Sequence, residues 1–222
     1  MTGHAVRADA EGSSLAARGS PIVVKLGGSV IRSPDLPSWL DAIAAARAPI
    51  VVVPGGGALA DEVRDCQVTL GFGDAAAHRM ALLAMDQLAW AVAGLRGGFQ
   101  VGATEDDLLN ALERGIIGVW APYALIAKRT DIEESWRITS DSLALWLARR
   151  LRAKRCYLIK SIARTTRSHR SAAQLARDGI VDEAFPAMLS ECRVPAVLLG
   201  RGDQAGFVAA LSGTDHCGVA ID

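Results

Sequence analysis

The chain has few cysteines and few aromatic residues, and it has no long apolar runs. Its four cysteines (Cys66, Cys156, Cys192 and Cys217) form no CxxC pair, so no zinc finger or dithiol redox motif is indicated, and reduced thiols in a cytoplasmic protein are expected. Aromatic residues make up only 5% of the chain, so aliphatic side chains must fill the core. No apolar run reaches the length of about 18 residues that a membrane-spanning helix needs.

An excess of either charge is also missing. The 24 Lys and Arg residues balance the 24 Asp and Glu residues, which argues against a protein that binds nucleic acid or an anionic membrane through a basic surface. Residues 1–20 are rich in Ala, Gly, Ser and charge and have no apolar stretch of signal-peptide length. We expect a mobile N-terminal tail over 1–20 and one domain over 21–222.

Strands and helices are predicted to alternate along the whole chain. The predicted strands, at 21–26, 49–54, 99–102, 155–162, 195–200 and 217–221, are continuous apolar runs, and a strand followed by a loop is predicted over 118–126. Helices are predicted between them, the longest over 74–95 and another over 104–115 with Thr104 as its N-cap. Continuous rather than alternating apolar strands are typical of a mainly parallel sheet covered by helices on both faces. The prediction is therefore an α/β fold.

Two of the strands end in glycine clusters, Gly27-Gly28-Ser29 and Gly55-Gly56-Gly57. Ligands of open α/β sheets bind beyond the carboxyl ends of the strands, and glycine lets backbone N–H groups approach an anion closely. Two such turns on neighbouring strands could hold two phosphoryl groups that face each other. Tight strand-to-helix turns would explain either cluster taken alone.

The second cluster also fits a dinucleotide fingerprint. The stretch from Gly55 to Ala60 matches GxGxxA after a strand, and Asp74 stands about where an acid that binds ribose is expected. However, Asp74 is predicted to open a helix rather than to end a second strand, so the context disfavours a nicotinamide or flavin enzyme. A Walker motif is absent from the sequence, which excludes a P-loop enzyme.

Two lysines and an aspartate complete the candidate chemistry. Lys25 lies in an apolar strand, where a lysine is costly unless its charge is satisfied, and two residues before a glycine turn it could neutralise a transferring phosphoryl group. Lys160 ends another apolar strand and is either a second cation for phosphates or a surface lysine. Asp141 begins a helix, where it could hold the catalytic lysine or act only in capping with Thr139 or Ser140.

These motifs carry a resemblance to a known family. The stretches VVKLGGSV, VVVPGGGALADEVR and ITSDSLALWLARRL resemble the amino acid kinase superfamily over roughly residues 21–222. The resemblance implies a three-layer α/β/α sandwich around a mainly parallel sheet, and transfer of the γ-phosphoryl group of ATP to a small acceptor. Catalytic residues would then be Lys25, Asp141 and Lys160. The nucleotide would contact Gly27, Gly28, Ser29, Thr139, Ser140 and Lys160, and the acceptor would contact Gly55, Gly56, Gly57, Arg64 and His78.

A narrower resemblance points to one kind of acceptor. The stretches HRMALLAMDQLAW, SWRITSDSLALWLA, LIKS and GIVDEAF are similar to a small archaeal and methylotroph group that phosphorylates [5-(aminomethyl)furan-3-yl]methyl phosphate in methanofuran biosynthesis. The chain departs from the wider family after Lys160: SIARTTRSHR replaces a (T/D)DxxG stretch, and a later glycine-rich segment with a second lysine is missing. Lys160 could replace that lysine, or nucleotide binding could be altered.

Several other side chains have both a functional and a structural interpretation. Arg64 could bind the acceptor phosphate or pair with Asp61 along a helix. His78 and Asp86 could reach an amine or hydroxyl of the acceptor or belong to a helix interface. Two tryptophans, Trp120 and Trp136, could stack on a furan ring or pack in the core. A basic cluster could bind phosphates or be a solvated loop: Arg164, Arg167, His169 and Arg170.

The sequence thus predicts a kinase that uses ATP and Mg²⁺, with Mg²⁺ on the ATP oxygens and no metal site made of protein ligands. The expected partner is a phosphorylated small molecule, with no nucleic acid and no membrane, and a cytoplasmic homo-oligomer is expected. Two alternatives stay open: another kinase of the superfamily, acting on uridylate, isopentenyl phosphate or an acyl group, and a nucleotide-binding paralogue without turnover that serves as a partner subunit.

Overall fold

A computed structural model describes residues 19–163, 169–213 and 217–222. The predicted N-terminal tail lies outside this part of the chain except for Gly19 and Ser20. The residues in these ranges form eight strands: β1 Ile22–Leu26, β2 Ile50–Pro54, β3 Phe99–Gly102, β4 Ile117–Trp120, β5 Arg155–Ile159, β6 His169–Arg170, β7 Ala196–Leu199 and β8 Val219–Ile221.

Helices connect most of the strands, as predicted. The described residues form α1 Gly28–Ile31, α2 Leu36–Ala45, α3 Gly57–Leu70, α4 Asp74–Leu95, α5 Glu105–Glu113, α6 Tyr123–Ile126, α7 Ser140–Arg150, α8 Ala172–Arg177, α9 Phe185–Cys192 and α10 Gln204–Leu211. None of these helices has both the length and the apolar character needed to cross a membrane.

All eight strands belong to one sheet, in the order β3-β4-β2-β1-β5-β7-β8-β6. Neighbouring strands are parallel except β7 and β8, which are antiparallel. The central strand β1 lies between β2 and β5, with Lys25 in register with Val53 on one side and Leu158 on the other. The carboxyl ends of these three strands therefore meet at one edge of the sheet.

The sheet is covered on both faces, which confirms the predicted three-layer α/β/α sandwich. Successive residues of β1 point to opposite cores: Val23 packs in the cluster that contains the buried face of α7, and Val24 packs in the cluster formed with α2. Both valines are fully buried. A strand buried on both faces explains why its sequence is continuously apolar.

Two short elements differ from the sequence prediction. His169 and Arg170, expected in a polar loop, form β6 and pair with β8 in parallel register. The segment after β4, also expected as a loop, forms α6, which begins after Pro122. Both elements are too short to show a hydrophobic period, the main sequence signal for a helix or a strand.

Candidate active site

The candidate site is built at the shared carboxyl edge of β2, β1 and β5. Lys25 is the penultimate residue of β1, and Lys160 directly follows β5. Parallel pairing of these two strands aligns their ends, so the two lysines are brought together although they are far apart in sequence.

Asp141, in the first turn of α7, joins the two lysines. Its Oδ1 lies 2.6 Å from Nζ of Lys25, and its Oδ2 accepts a hydrogen bond of 2.6 Å from Nζ of Lys160. Burial opposes ionisation of this carboxyl group, but the two ammonium groups outweigh it and hold the pKa of Asp141 below its usual value. One carboxylate thus orients two cations in a buried cluster.

The cluster retains a positive charge. Burial and the nearby charge of Lys25 lower the pKa of Lys160 to about 8, although Asp141 acts in the opposite direction. Two ammonium groups against one carboxylate leave an excess of one positive charge in a place that is shielded from solvent. Such a fixed charge favours a phosphate or a transferring phosphoryl group.

The two glycine turns touch each other through their backbones. A Cβ on Gly28 would lie 2.6 Å from both the nitrogen and the Cα of Gly57, and a Cβ on Gly55 would lie 2.7 Å from the nitrogen of Gly28. Gly57 also has a φ of +51°, a region that favours glycine. The close approach of the two turns therefore requires glycine here.

The beginning of α7 is fixed by a residue that the sequence analysis did not single out. Oδ2 of Asp182 accepts hydrogen bonds from the backbone N–H groups of Thr139 (2.9 Å) and Ser142 (3.0 Å) and from the Thr139 hydroxyl (2.9 Å). The Ser142 hydroxyl donates to its other oxygen. Thr139 is the N-cap residue and Asp141 lies in the first turn, as considered, but the Thr139 side chain makes no capping hydrogen bond. A carboxylate from a distant segment caps the helix instead, and Asp141 holds the two lysines.

A cavity of about 610 Å³ opens at this edge of the sheet. Most of the predicted site residues line it: Lys25, Gly28, Ser29, Gly55, Gly56, Gly57, Arg64, His78, Thr139, Ser140, Asp141 and Lys160. Gly27 does not line it. Its N–H donates to the carbonyl oxygen of Ile159 at 2.9 Å, joining the first glycine turn to the end of β5.

One wall of the cavity carries an aromatic ring and a guanidinium group. The guanidinium of Arg64 lies 4.0 Å from the ring centroid of Trp136, and it also forms an ion pair of 2.9 Å with Asp61. The indole N–H of Trp136 donates to Oε1 of Gln67 at 2.7 Å. Arg64 therefore pairs along α3, as its structural interpretation has it, and it also lines the cavity. Its contact with an acceptor phosphate stays a prediction.

His78 forms another part of this wall and is only 5% exposed. Its Nδ1 lies 3.3 Å from the carbonyl oxygen of Ser135. Burial lowers the pKa of His78, against a weaker opposing effect of the Ser135 carbonyl and of Glu134. The imidazole is therefore neutral at physiological pH.

The remaining candidate side chains lie elsewhere. Asp86 accepts a hydrogen bond from the backbone N–H of Tyr123 at 3.1 Å and does not line the cavity. Trp120 is fully buried and stacks on Trp146 at 6.0 Å, so the stacking role considered for it is wrong. Trp136 keeps that possibility.

The basic cluster after Lys160 falls partly outside the described residues, which do not include Arg164 and Arg167. Arg170 forms an ion pair of 2.6 Å with Asp178. His169 is exposed in β6. Neither of these two residues lines the cavity, so their role as phosphate contacts stays a prediction.

The dinucleotide hypothesis finds no support in the geometry. Asp74 begins α4 rather than ending a strand, and its carboxylate accepts a hydrogen bond of 2.8 Å from Gln67.

Among the residues that the structure describes, no group of three or more His, Cys, Asp and Glu side chains is placed to hold a metal ion.

Comparison with known proteins agrees with this architecture. Residues 20–164 match the model of the amino acid kinase family, so the chain belongs to that family, and the prediction of a phosphotransferase is confirmed. A curated relative from Methanocaldococcus jannaschii, [5-(aminomethyl)furan-3-yl]methyl phosphate kinase, is 28% identical over 190 residues, which cover 81% of this chain and 88% of the relative.

Solved structures confirm the fold. A uridylate kinase from Archaeoglobus fulgidus superposes with a TM-score of 0.69 at 16% identity, covering 90% of this chain and 99% of that one. A UMP kinase from Ureaplasma parvum superposes with a TM-score of 0.65 at 15% identity, covering 94% and 98%. At these identities the likeness concerns the fold alone.

Proposed function

We propose that the chain transfers the γ-phosphoryl group of ATP to the phosphate of a small phosphorylated acceptor. The observation that carries the proposal is the buried cluster of Lys25, Asp141 and Lys160 beside two glycine turns that touch each other. Transfer between two phosphates brings several negative charges together, and the main task of the protein is to position and neutralise them. A cluster with excess positive charge at one end of the cavity supports that task.

The two glycine turns suggest where each substrate binds. A Cβ on Gly27 would lie 3.6 Å from Cδ of Lys160, so the turn at Gly27–Ser29 adjoins Lys160. This turn would hold the ATP phosphates together with Thr139 and Ser140. The turn at Gly55–Gly57 begins α3, whose N-terminal N–H groups favour an anion, and it would hold the acceptor phosphate. Because the turns are in contact, the two phosphates would be held next to each other.

The chain needs no general base for this reaction. A phosphate acceptor is already ionised at neutral pH, so its oxygen can attack the γ-phosphorus in line without losing a proton to the protein. Lys25 would neutralise the charge that develops on the transferring group, and Asp141 would keep Lys25 and Lys160 in place before the substrates bind. Preorganisation of this kind avoids the cost of reorienting charges during the reaction.

Mg²⁺ would arrive with the nucleotide. Two carboxylates line the cavity, Asp61 and Asp141, and each is already paired with a cation. Mg²⁺ commonly binds through substrate phosphates and water rather than in an all-protein site, which fits this donor set. When bound, the ion would supply further neutralisation of the phosphate charge.

For the acceptor we propose [5-(aminomethyl)furan-3-yl]methyl phosphate, converted to its diphosphate in methanofuran biosynthesis. The name of the relative from Methanocaldococcus jannaschii supports this substrate, and Trp136 offers an aromatic surface on which a furan ring could stack. Uridylate is the substrate named for the structural neighbours. Because those neighbours share only the fold with this chain, uridylate serves as the comparison compound and not as the proposed acceptor.

The test is an ADP-release assay with Mg-ATP and a panel of acceptors. We expect turnover with the aminomethylfuran phosphate and at least tenfold lower kcat/KM with UMP and with isopentenyl phosphate. Preference for one of the other acceptors would replace the proposed substrate. ATP binding without ADP release on any phosphorylated acceptor would overturn the kinase proposal and favour the paralogue without turnover.

We also propose that the chain forms a homo-oligomer in the cytoplasm. Met80, Leu83 and Trp90 are exposed on one face of α4, with Trp90 68% exposed, and their spacing places them on a single stripe. A second copy could cover this stripe. Analytical ultracentrifugation should show an oligomer that Trp90→Glu dissociates, whereas a monomeric wild-type protein would contradict the proposal.

A further inference from the structure

The buried imidazole of His78, in the cavity wall, has one ring nitrogen whose hydrogen-bonding role follows from the partner of the other. A backbone carbonyl can only accept a hydrogen bond, so the contact between Nδ1 and the carbonyl oxygen of Ser135 places the ring hydrogen on Nδ1. The neutral ring then has no hydrogen on Nε2. Nε2 can only accept a hydrogen bond.

That acceptor has no partner in the part of the chain that the structure describes. Nε2 of His78 is buried and receives no hydrogen bond from any described residue. Buried polar atoms of folded proteins nearly always have a partner, so an isolated one requires an explanation. His78 lines the cavity of the candidate active site, and its Nε2 is buried within that wall. A ligand group that enters the wall beside the imidazole would supply the missing donor.

The wall around His78 is held in a defined position. Arg79, next to His78 on α4, donates two hydrogen bonds to Glu134, at 2.7 Å and 3.2 Å. Trp136 is tied to Gln67 on α3. The segment that supplies the Ser135 carbonyl is thus joined to both helices, so the tautomer of His78 and the place of Nε2 are fixed before a ligand binds.

We propose that Nε2 of His78 accepts a hydrogen bond from an N–H or O–H group on the part of the acceptor outside its phosphate. The acceptor is then a phosphorylated small molecule that carries such a donor, an amine or a hydroxyl. The inference rests on the proposed function, and it makes His78 the residue that determines specificity within the same cavity. A neutral imidazole does not repel an ammonium group, and the carboxylate of Asp61 also lines the cavity.

The experiment compares three acceptors that differ in one group. The probes are [5-(aminomethyl)furan-3-yl]methyl phosphate and its analogues with hydroxymethyl or methyl in place of aminomethyl. A site that binds a substrate N–H or O–H discriminates strongly against an analogue that lacks it, because the protein group is left unpaired. We expect kcat/KM for the methyl compound to be lower by roughly tenfold or more than for the better of the two donors.

Two variants of His78 separate a specificity role from a structural one. The amide of Asn can keep the hydrogen bond to the Ser135 carbonyl but cannot reach the place of Nε2, whereas Gln can place an oxygen near that point. His78→Asn should reduce the ratio of kcat/KM between donor and methyl acceptors to near one, and His78→Gln should restore part of it. Thermal unfolding of both variants checks that each is folded.

The outcomes distinguish this inference from the proposed function. Equal kcat/KM for all three acceptors in the wild type would overturn the role of His78 while leaving the kinase intact. A His78→Asn variant that loses activity equally with every acceptor would also overturn it, since a water molecule or packing would then explain the buried nitrogen. Absence of ADP release with all three acceptors, with UMP and with isopentenyl phosphate would instead overturn the proposed function.

Discussion

The two ends of the cavity are built in different ways. At the phosphoryl end, Lys25, Asp141 and Lys160 come from the ends of two strands and the start of a helix, and their charges are paired with one another at 2.6 Å. At the wall proposed for the acceptor, which we call the acceptor wall, the side chains come from two helices and a connecting segment: Arg64, His78 and Trp136. Their contacts are a cation–π pair, hydrogen bonds to neutral groups and an exposed ion pair between Arg64 and Asp61.

Under the proposed function, this difference would separate the groups that act in phosphoryl transfer from the groups that select the acceptor. Strand ends in a parallel sheet are fixed by the whole backbone ladder, which suits groups that must meet a phosphoryl group whatever the acceptor is. Helix faces and connecting segments can change their side chains without disturbing the sheet. We therefore expect changes at the phosphoryl end to lower kcat with every acceptor, and changes at the wall to alter the choice among acceptors.

Removal of Lys25 should have the largest effect. Lys25→Ala deletes a fixed positive charge at the transferring group, and loss of one such electrostatic stabiliser costs about 10²-fold or more in kcat. Steady-state ADP release with saturating Mg-ATP measures the change. The effect should be the same size for the aminomethylfuran phosphate and for its methyl analogue.

Lys154→Ala is the matched control, because Lys154 is an exposed lysine at the opposite end of β5. It should leave kcat unchanged, and circular dichroism should show that both variants are folded. Near-normal turnover of Lys25→Ala would show that Lys25 does not stabilise the transferring phosphoryl group.

The glycine turns test whether the two phosphates are bound separately. A Cβ on Gly28 meets the backbone of Gly57 at 2.6 Å, so Gly28→Ala must displace both turns, whereas a Cβ on Gly56 meets the Cβ of Ala60 at 2.5 Å. We expect Gly28→Ala to raise KM for ATP and for the acceptor, each by about tenfold, an effect of about 1.4 kcal/mol. Gly56→Ala should raise KM for the acceptor alone.

The double variant Gly56→Ala with Ala60→Gly removes the clash and should recover acceptor affinity. Isothermal titration calorimetry with ATP and with acceptor gives the two affinities independently. If Gly56→Ala weakens the binding of ATP as much as the binding of the acceptor, the assignment of one turn to each substrate is wrong.

The sequence predicted most of the fold because its signals are local. The prolines and continuous valines around β2 marked a buried strand, and the long helix was predicted over 74–95, where α4 is found. Thr104 caps α5, as predicted, and the structure adds a capping box with Asp107. By contrast, β6 has two residues, and its pairing with β8 depends on a contact that no local pattern encodes.

The features of the candidate site also fall into those that the sequence predicts and those that depend on tertiary contacts. Glycine turns and a lysine in an apolar strand are visible in sequence, and the structure brings Lys25, Asp141 and Lys160 together as the resemblance implied. The contact between Gly28 and Gly57, the cap from Asp182 and the carbonyl of Ser135 on His78 join segments that are far apart in the chain. Such partners follow from the tertiary structure, so a single sequence does not reveal them.

Asp182 lies outside the phosphoryl end of the cavity but caps the helix that carries Asp141. Asp182→Ala leaves the N–H groups of Thr139 and Ser142 without their partner, which should lower the free energy of unfolding by about 2 kcal/mol, as loss of a helix cap does. Because Asp141 then loses its fixed position, kcat should also fall, by roughly fivefold (about 1 kcal/mol). Urea unfolding and ADP release measure the two effects.

Ser171→Ala provides the comparison, because Ser171 caps α8 through the N–H of Gln174 at 3.4 Å and does not line the cavity. It should lower stability without changing kcat. Equal kcat for both variants would show that Asp182 has a structural role only.

The smallest expected effect is a pH dependence at the phosphoryl end. Burial and Lys25 lower the pKa of Lys160 to about 8, so in the free enzyme its ammonium group loses its proton as the pH rises through about 8. If Lys160 binds the ATP phosphates as a cation, kcat/KM for ATP should fall about fourfold between pH 7 and pH 8.5. Lys160→Arg keeps a positive charge over this range and should remove the fall, while His78→Asn, at the acceptor wall, should retain it. A fall of the same size in Lys160→Arg would assign the titration to another group.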